Sequence, residues 1–146
     1  MRRLSHSMQR AIAFTAGLGL MFLAGCGSSA ADSGLRKTFG RGIAQIGQPQ
    51  TAKELHGDLV RVLMRLRKER ASTAAGRIAR TLAIQGFTWT LRGIDARLEM
   101  TRNDSGNLEA SVQDAMRSDR DRRRGAKLLR AAGRALGVSV GELSGT

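Results

Sequence analysis

Residues 73–102 carry apolar side chains on two sides of one predicted helix, and this pattern restricts the possible fold more than any other part of the sequence. One stripe contains Ala75, Ile78, Leu82 and Trp89, and the other contains Ile84, Phe87, Leu91, Ile94 and Leu98. The alternating spacing of three and four residues in the second stripe is typical of a helix that packs along another helix. A helix that is apolar on two sides lies between two partners. The segment therefore predicts the central helix of a bundle, with Trp89 in the core.

The composition of the chain also favours helices. There is one proline, Pro49, there is no tyrosine, and aromatic residues make up 3% of the chain, whereas strands are rich in aromatic and β-branched residues. Gly76, Gly86 and Gly93 interrupt the central helix, where we expect close helix packing or a kink near Gly86. The fold class that we predict is all-α, a small antiparallel bundle of three to four helices.

A capping box marks the start of the helix that precedes the central one. Thr51 and Glu54 have the spacing at which each side chain accepts a hydrogen bond from the backbone amide of the other residue. The helix is expected to end near Arg70. Its apolar stripe consists of Leu55, Leu59, Val62, Leu63 and Leu66. We therefore place the start of the folded helical domain at residue 51 and its extent at residues 51–146.

After a turn at residues 103–107, the sequence predicts a third helix. Its apolar side consists of Leu108, Val112, Ala115 and Met116. Residues 117–124 are all polar, so no helical face stays apolar through them, and we expect either an exposed helical extension or a linker that ends at Gly125. Gly137 is expected to end a final helix. The apolar stripe of that helix consists of Leu128, Leu129, Ala132 and Leu136.

The amino-terminal residues have the layout of a secretory signal peptide. Arg2, Arg3 and Arg10 precede an uncharged apolar run over residues 11–24, and the single cysteine of the chain, Cys26, follows this run. A spanning helix needs about 20 apolar residues, so the run is too short to be one. A chain with one cysteine forms no internal disulfide, and a free thiol is a liability in an exported protein.

The segment Leu23-Ala24-Gly25-Cys26 resembles the lipobox of bacterial lipoproteins. The resemblance implies that residues 1–25 are removed, that the Cys26 thiol carries diacylglycerol, and that the new amino terminus is acylated. Two or three acyl chains anchor a protein stably to a membrane. We therefore expect a lipid-anchored, extracytoplasmic protein of the cell envelope. In a Gram-negative host we expect the periplasmic face of the outer membrane, because Gly27 is not the aspartate that retains lipoproteins in the inner membrane. In a Gram-positive host we expect the outer face of the cell membrane.

Residues 26–50 are predicted to form the lipidated cysteine and a flexible tether, because small and polar residues follow Cys26. Within this segment, apolar residues recur at helical spacing. They are Leu35, Phe39, Ile43 and Ile46. We expect a short amphipathic segment here, lying either on the bundle or on the membrane surface.

The mature chain is strongly basic. The whole chain has 25 Lys and Arg against 12 Asp and Glu, a formal charge of +13, and loss of the three arginines of residues 1–25 leaves +10. Such a charge favours acidic partners. The expected partners are anionic lipid, acidic wall polymer or an envelope protein, and the alternative is a solvated face without a partner. The residues expected to bind an anionic surface are Arg117, Arg120, Arg122, Arg123, Arg124, Lys127 and Arg130.

A second resemblance concerns the end of the chain. Residues 129–143, with Leu136-Gly137-Val138-Ser139 followed by Glu142-Leu143, are similar to the closing segment of Cro/repressor-type helix-turn-helix domains. The resemblance implies a nucleic-acid-binding helical protein as an alternative function. Two observations argue against it: no helix-turn-helix pattern lies upstream, and the lipobox places the domain away from DNA.

The sequence offers little material for an enzyme. His56, with Glu54 and Asp58 two residues to either side, cannot form a metal site on a helix, because residues two apart point about 200° apart. Asp95 and Glu99 are expected to form a surface ion-pair ladder with neighbouring arginines. We predict no catalytic residue, no metal and no cofactor. The expected function is that of a non-enzymatic envelope lipoprotein with a structural or interaction role.

Overall fold

The computed structural model describes residues 31–102, 107–141 and 143. This part of the chain is helical, with no strand among the residues described, and the predicted all-α fold is confirmed. The four helices are α1 (Ser33–Ile46), α2 (Ala52–Lys68), α3 (Ala74–Arg102) and α4 (Leu108–Leu136). None of the helices in the described ranges is both long enough and apolar enough to cross a membrane.

Consecutive helices run in opposite directions. Gly34 near the start of α1 lies against Glu69 after the end of α2, and Gly42 later in α1 lies against Val62. In α4, Leu129 contacts Gly86, whereas the earlier residue Arg122 contacts the later residue Gly93 of α3. The molecule is therefore an up-down-up-down bundle, in which α3 and α4 form a long antiparallel hairpin.

The folded domain begins before residue 51, and the expectation of a tether over the whole of residues 26–50 is wrong for the helical part of this segment. Leu35 and Phe39 of α1 are fully buried, and the rings of Phe39 and Phe87 pack in an edge-to-face arrangement with a centroid distance of 6.0 Å. Gly42 allows this packing, because a side chain there would collide with Phe87 and Val62. Of the two expected positions for the amphipathic segment, the structure shows the one on the bundle.

The first residues of α1 are fixed to the start of α3. The buried carboxylate of Asp32 accepts hydrogen bonds from the Ser72 amide at 2.7 Å and from the Thr73 hydroxyl. Thr73 in turn accepts a hydrogen bond from the Gly76 amide at 2.8 Å, in the manner of a helix N-cap. These bonds, that from Thr73 first, lower the pKa of Asp32 below its ordinary value. The chain thus enters the bundle at the end where α3 begins.

The predicted capping box of α2 is confirmed. The Glu54 amide donates to the Thr51 hydroxyl at 3.3 Å, and the Thr51 amide donates to the Glu54 carboxylate at 2.9 Å. At the other end of α2, the Arg80 guanidinium donates to the carbonyls of Leu66 and Arg67 at 2.9 and 2.6 Å. These carbonyls have no partner within their own helix, so Arg80 satisfies acceptors that the helix end leaves free.

Of the two apolar stripes predicted for α3, the one that begins at Ala75 is not buried. Ile78 is 60% exposed and Trp89 is half-buried. Phe87, Leu91 and Ile94 of the second predicted stripe are buried, as expected. Small residues at three-four spacing are buried as well; they are Gly76, Ala79, Ala83, Gly86, Thr90 and Gly93. At Gly86, Thr90 and Gly93 the backbones of α3 and α4 approach so closely that a Cβ at Gly125 would lie 2.9 Å from the Gly86 carbonyl oxygen. Close approach thus replaces the large apolar side chains that the sequence pattern suggested.

Residues 117–124 are helical throughout, since α4 is one continuous helix of 29 residues. Its buried face continues through the polar stretch with the same three-four spacing. The face consists of Asp114, Ser118, Asp121, Gly125, Leu129, Ala132 and Leu136. Ser118 donates to the Gly93 carbonyl at 2.7 Å, and such satisfied polar groups can be buried without the usual penalty. Of the two alternatives, a linker and an exposed helical extension, the helix is correct, but Ser118 and Asp121 within it are buried.

Gly137 ends α4 as predicted. Its φ of 65° lies in the left-handed region, and the Val138 amide donates back to the Gly133 carbonyl at 2.9 Å, which closes the helix end. Val138, Val140 and Leu143 then pack partly against the core. Residues 138–141 are not helical, so this part of the helix-turn-helix-like segment covers the core without adding a helix.

Candidate anionic-surface site

The basic residues of α4 lie on the side of the helix that faces away from the bundle. We call this side the outward basic face and define it by Arg117, Arg120, Arg123, Arg124, Lys127, Arg130 and Arg134, all of which are exposed. At 3.6 residues per turn, these positions fall within an arc of about 140°. They extend over about 26 Å of helix length at 1.5 Å per residue. The face is therefore a long basic strip, opposite the side that packs on α3.

Arg122 was expected in the same site but does not belong to it. The Arg122 side chain is half-buried and packs against Gly93 of α3. It lines a cavity of about 350 Å³ whose walls include Leu55, Ile94 and Arg97. The position of residue 122 around the helix axis explains its burial. It follows the buried Asp121 and lies on the side of α4 that turns towards the bundle.

Carboxylates on α4 compensate some of these charges. Measured between the closest nitrogen and oxygen atoms, Arg123 pairs with Asp119 at 2.8 Å, Arg120 with Asp121 at 3.4 Å, and Arg117 with Asp114 at 3.7 Å. By contrast, the side chains of Lys127, Arg130 and Arg134 have no ion-pair or hydrogen-bond partner among the described residues. Positive charge is therefore least compensated in the second half of α4.

Trp89 lies beside the outward basic face and is not a core residue. The Arg124 guanidinium lies 4.0 Å from the centroid of the indole ring, and that of Arg92 lies 4.7 Å from it. Both distances are well inside the range of cation–π attraction. Trp89, Arg92, Arg124 and Lys127 line an open groove between α3 and α4. The groove joins an aromatic surface to three cations, which is a suitable chemistry for anionic headgroups.

The side of α4 that the sequence suggested for core packing is exposed at its start. Leu108 is 79% exposed, Val112 is 50% exposed and Met116 is 69% exposed. These three residues are spaced four apart and form a line on one side of the helix; we call them the apolar end of α4. The prediction failed because the bundle side of α4 is taken by Asp114 and Ser118, which the hydropathy pattern does not mark as buried.

Two of the acidic and histidine residues singled out in the sequence pair with each other. His56 pairs with Asp95 through Nε2 at 3.1 Å, so Asp95 does not take part in the expected arginine ladder; Arg92 lies over Trp89 instead. Within residues 31–102, 107–141 and 143, no three histidine, cysteine or acidic side chains converge in a way that could hold a metal ion.

The lipobox residues Leu23 to Gly25 and Cys26 lie outside the described residues. The described chain begins at Ala31, five residues after Cys26, and this separation can bridge at most about 18 Å. Asp32 is fixed at the start of α3, so an anchor at Cys26 would hold the end of the bundle that is opposite the apolar end of α4.

In comparisons with known proteins, the chain has no significant match to a protein-family model, a curated protein or a solved structure.

Proposed function

We propose that this protein is a non-enzymatic envelope lipoprotein, anchored by diacylglycerol on Cys26, that binds an acidic surface through the outward basic face of α4. The lipobox-like segment supports the anchor. The observation that carries the binding role is the strip of seven exposed basic side chains, of which Lys127, Arg130 and Arg134 have no ion-pair partner among the described residues.

The expected strength of this binding follows from the charges. Each basic residue close to an anionic membrane surface contributes about 1 kcal/mol. The three uncompensated residues then contribute about 3 kcal/mol, which corresponds to roughly a hundredfold change in affinity at low salt. Such an interaction is weak alone. It becomes effective for a protein that an acyl anchor already keeps at the same membrane, because tethering raises the local concentration.

The anchor is tested by metabolic labelling with an alkyne fatty acid in a bacterial host. The wild-type chain is expected to incorporate the label and to sediment with membranes, whereas Cys26→Ala is expected to do neither. Equal labelling of the two chains would refute the lipoprotein assignment.

The binding face is tested with a charge-removal variant, Lys127→Gln/Arg130→Gln/Arg134→Gln, in a chain of residues 27–146. Its affinity for anionic vesicles is expected to fall roughly a hundredfold at low salt. Arg65→Gln/Arg67→Gln/Lys68→Gln, at exposed positions of α2, is the matched control and should bind as the parent chain does. Wall fragments and duplex DNA serve as competing ligands, and a clear preference for DNA would favour the nucleic-acid alternative.

A further inference from the structure

The apolar end of α4 and the outward basic face share one side of the same helix. At 100° per residue, Val112 and Met116 fall within about 60° of the line through Arg123, Lys127 and Arg130. A single face therefore changes along its length from exposed apolar side chains to exposed cations. This combination is the property that allows a helix to lie in a membrane interface, with apolar groups below the headgroups and basic groups among the phosphates.

The apolar end of α4 lies at the opposite end of the bundle from the point where the chain enters it. The chain enters the bundle at Asp32, beside the start of α3. The 29 residues of α3 span about 40 Å, and its far end adjoins the start of α4. An anchor at one end of the bundle and an apolar contact at the other would fix the long axis of the molecule parallel to a bilayer.

We infer that α4 lies lengthwise on an anionic bilayer and inserts Leu108, Val112 and Met116 into the boundary between headgroups and acyl chains. This inference rests on the proposed function and adds the partner and the orientation. An acidic polysaccharide offers no apolar medium for these three side chains. A second copy of the chain is disfavoured because a stable dimer buries roughly 800 Å² per partner, far more than a single line of three side chains can supply.

The experiment compares two methionines that are both exposed on helices. Met116 is 69% exposed at the apolar end of α4, and Met64 is 50% exposed on α2. Met64 lies opposite the buried Leu59 and Leu66 side of its helix. The chain of residues 26–146 contains all four helices and their core, so it is suitable with Cys26→Ser as background. A polarity-sensitive fluorophore is attached to Met116→Cys or to Met64→Cys.

Vesicles of phosphatidylglycerol and of phosphatidylcholine are then added, and binding is measured separately by sedimentation. With phosphatidylglycerol we expect a blue shift of the fluorophore at position 116, quenching there by a spin label within the acyl region, and neither change at position 64. Met116→Ser is expected to weaken binding about tenfold. Met64→Ser should change binding by less than about twofold.

The outcomes separate the inference from the proposed function. If phosphatidylglycerol vesicles bind the chain but position 116 stays in water, the inserted orientation is wrong and the basic-face role stands. If no vesicle binds, the inference and a lipid partner for the basic face are both refuted, while fatty-acid labelling of Cys26 still decides the anchor. A blue shift at position 116 without vesicles, together with a doubled mass, would assign the apolar end to a second copy and overturn the inference.

Discussion

Replacement of Gly125 by alanine tests whether close contact between α3 and α4 holds the hairpin together. A Cβ at this position would lie 2.5 Å from the Thr90 hydroxyl oxygen, 2.9 Å from the Gly86 carbonyl oxygen and 3.0 Å from the Thr90 amide nitrogen. Two of these atoms belong to the backbone and cannot rotate away, so the helices must separate. Overpacking of this kind lowers the free energy of unfolding by about 1–3 kcal/mol. Because the contacts at Gly125 involve backbone atoms, we expect a loss near the upper end of this range.

Alanine also has a higher helix propensity than glycine, and this difference raises the free energy of unfolding by about 1 kcal/mol. We therefore expect Gly125→Ala to lower the free energy of unfolding by about 2 kcal/mol. Gly40→Ala in α1 is the matched control, because no atom lies within 4 Å of the added Cβ. It should raise the free energy of unfolding by about 0.5–1 kcal/mol through propensity alone.

The assay is urea unfolding followed by circular dichroism at 222 nm, with the slopes of the two variants compared to confirm two-state behaviour. A difference of about 3 kcal/mol between the variants is the expected result. If Gly125→Ala is as stable as Gly40→Ala, the close approach of α3 and α4 does not exist in solution and the account of the hairpin is wrong.

Three further substitutions test individual contacts. Because hydrogen bonds lower the pKa of Asp32, its contribution to stability is present above its unfolded pKa near 4 and is lost as the pH falls through its lower folded value. Asp32→Asn should therefore reduce the acid dependence of thermal stability below pH 4, and an unchanged dependence would contradict this. Ser118→Ala removes the buried bond to the Gly93 carbonyl and should cost about 1 kcal/mol in urea unfolding. Arg124→Gln should change the fluorescence emission of Trp89, the single tryptophan of the chain, and should lower the free energy of unfolding by about 0.5–1 kcal/mol. An unchanged emission spectrum would argue against the stacked arrangement.

The parts of the fold that follow from local chemistry could be predicted from the sequence. The capping box at Thr51 and Glu54 depends on residues three apart, and the stop at Gly137 depends on one residue that adopts a left-handed conformation. The apolar stripe of α2 is also correct, since Leu59 and Leu66 are fully buried. Each of these features needs no knowledge of a distant partner.

The hairpin of α3 and α4 could not be predicted in the same way. Hydropathy identifies large apolar side chains, and it therefore selected Ile78 and Met116, which are exposed. The residues that pack are small or hydrogen-bonded, such as Gly86 and Ser118, and their burial depends on the backbone of the facing helix. Hydropathy alone gives no sign of that pairing.

The candidate site could be predicted from the sequence in composition but not in geometry. The cluster of basic residues was evident from the sequence, whereas its division between an outward face and the inward Arg122 required a continuous α4. In a continuous helix, spacings of three, four and seven, as in Arg117, Arg120, Arg124 and Lys127, place residues on one outward face.

The close contact at Gly86, Gly93 and Gly125 separates two kinds of evolutionary constraint within one helix. Substitutions on the inner side of α4 disturb the backbone contact and are expected to be rejected by selection for folding. Exposed substitutions on the outer side leave that contact intact and cost little stability. Homologues are thus expected to keep the small residues and to exchange the outer charges freely, so that the charge of the outer face can change while the hairpin stays the same.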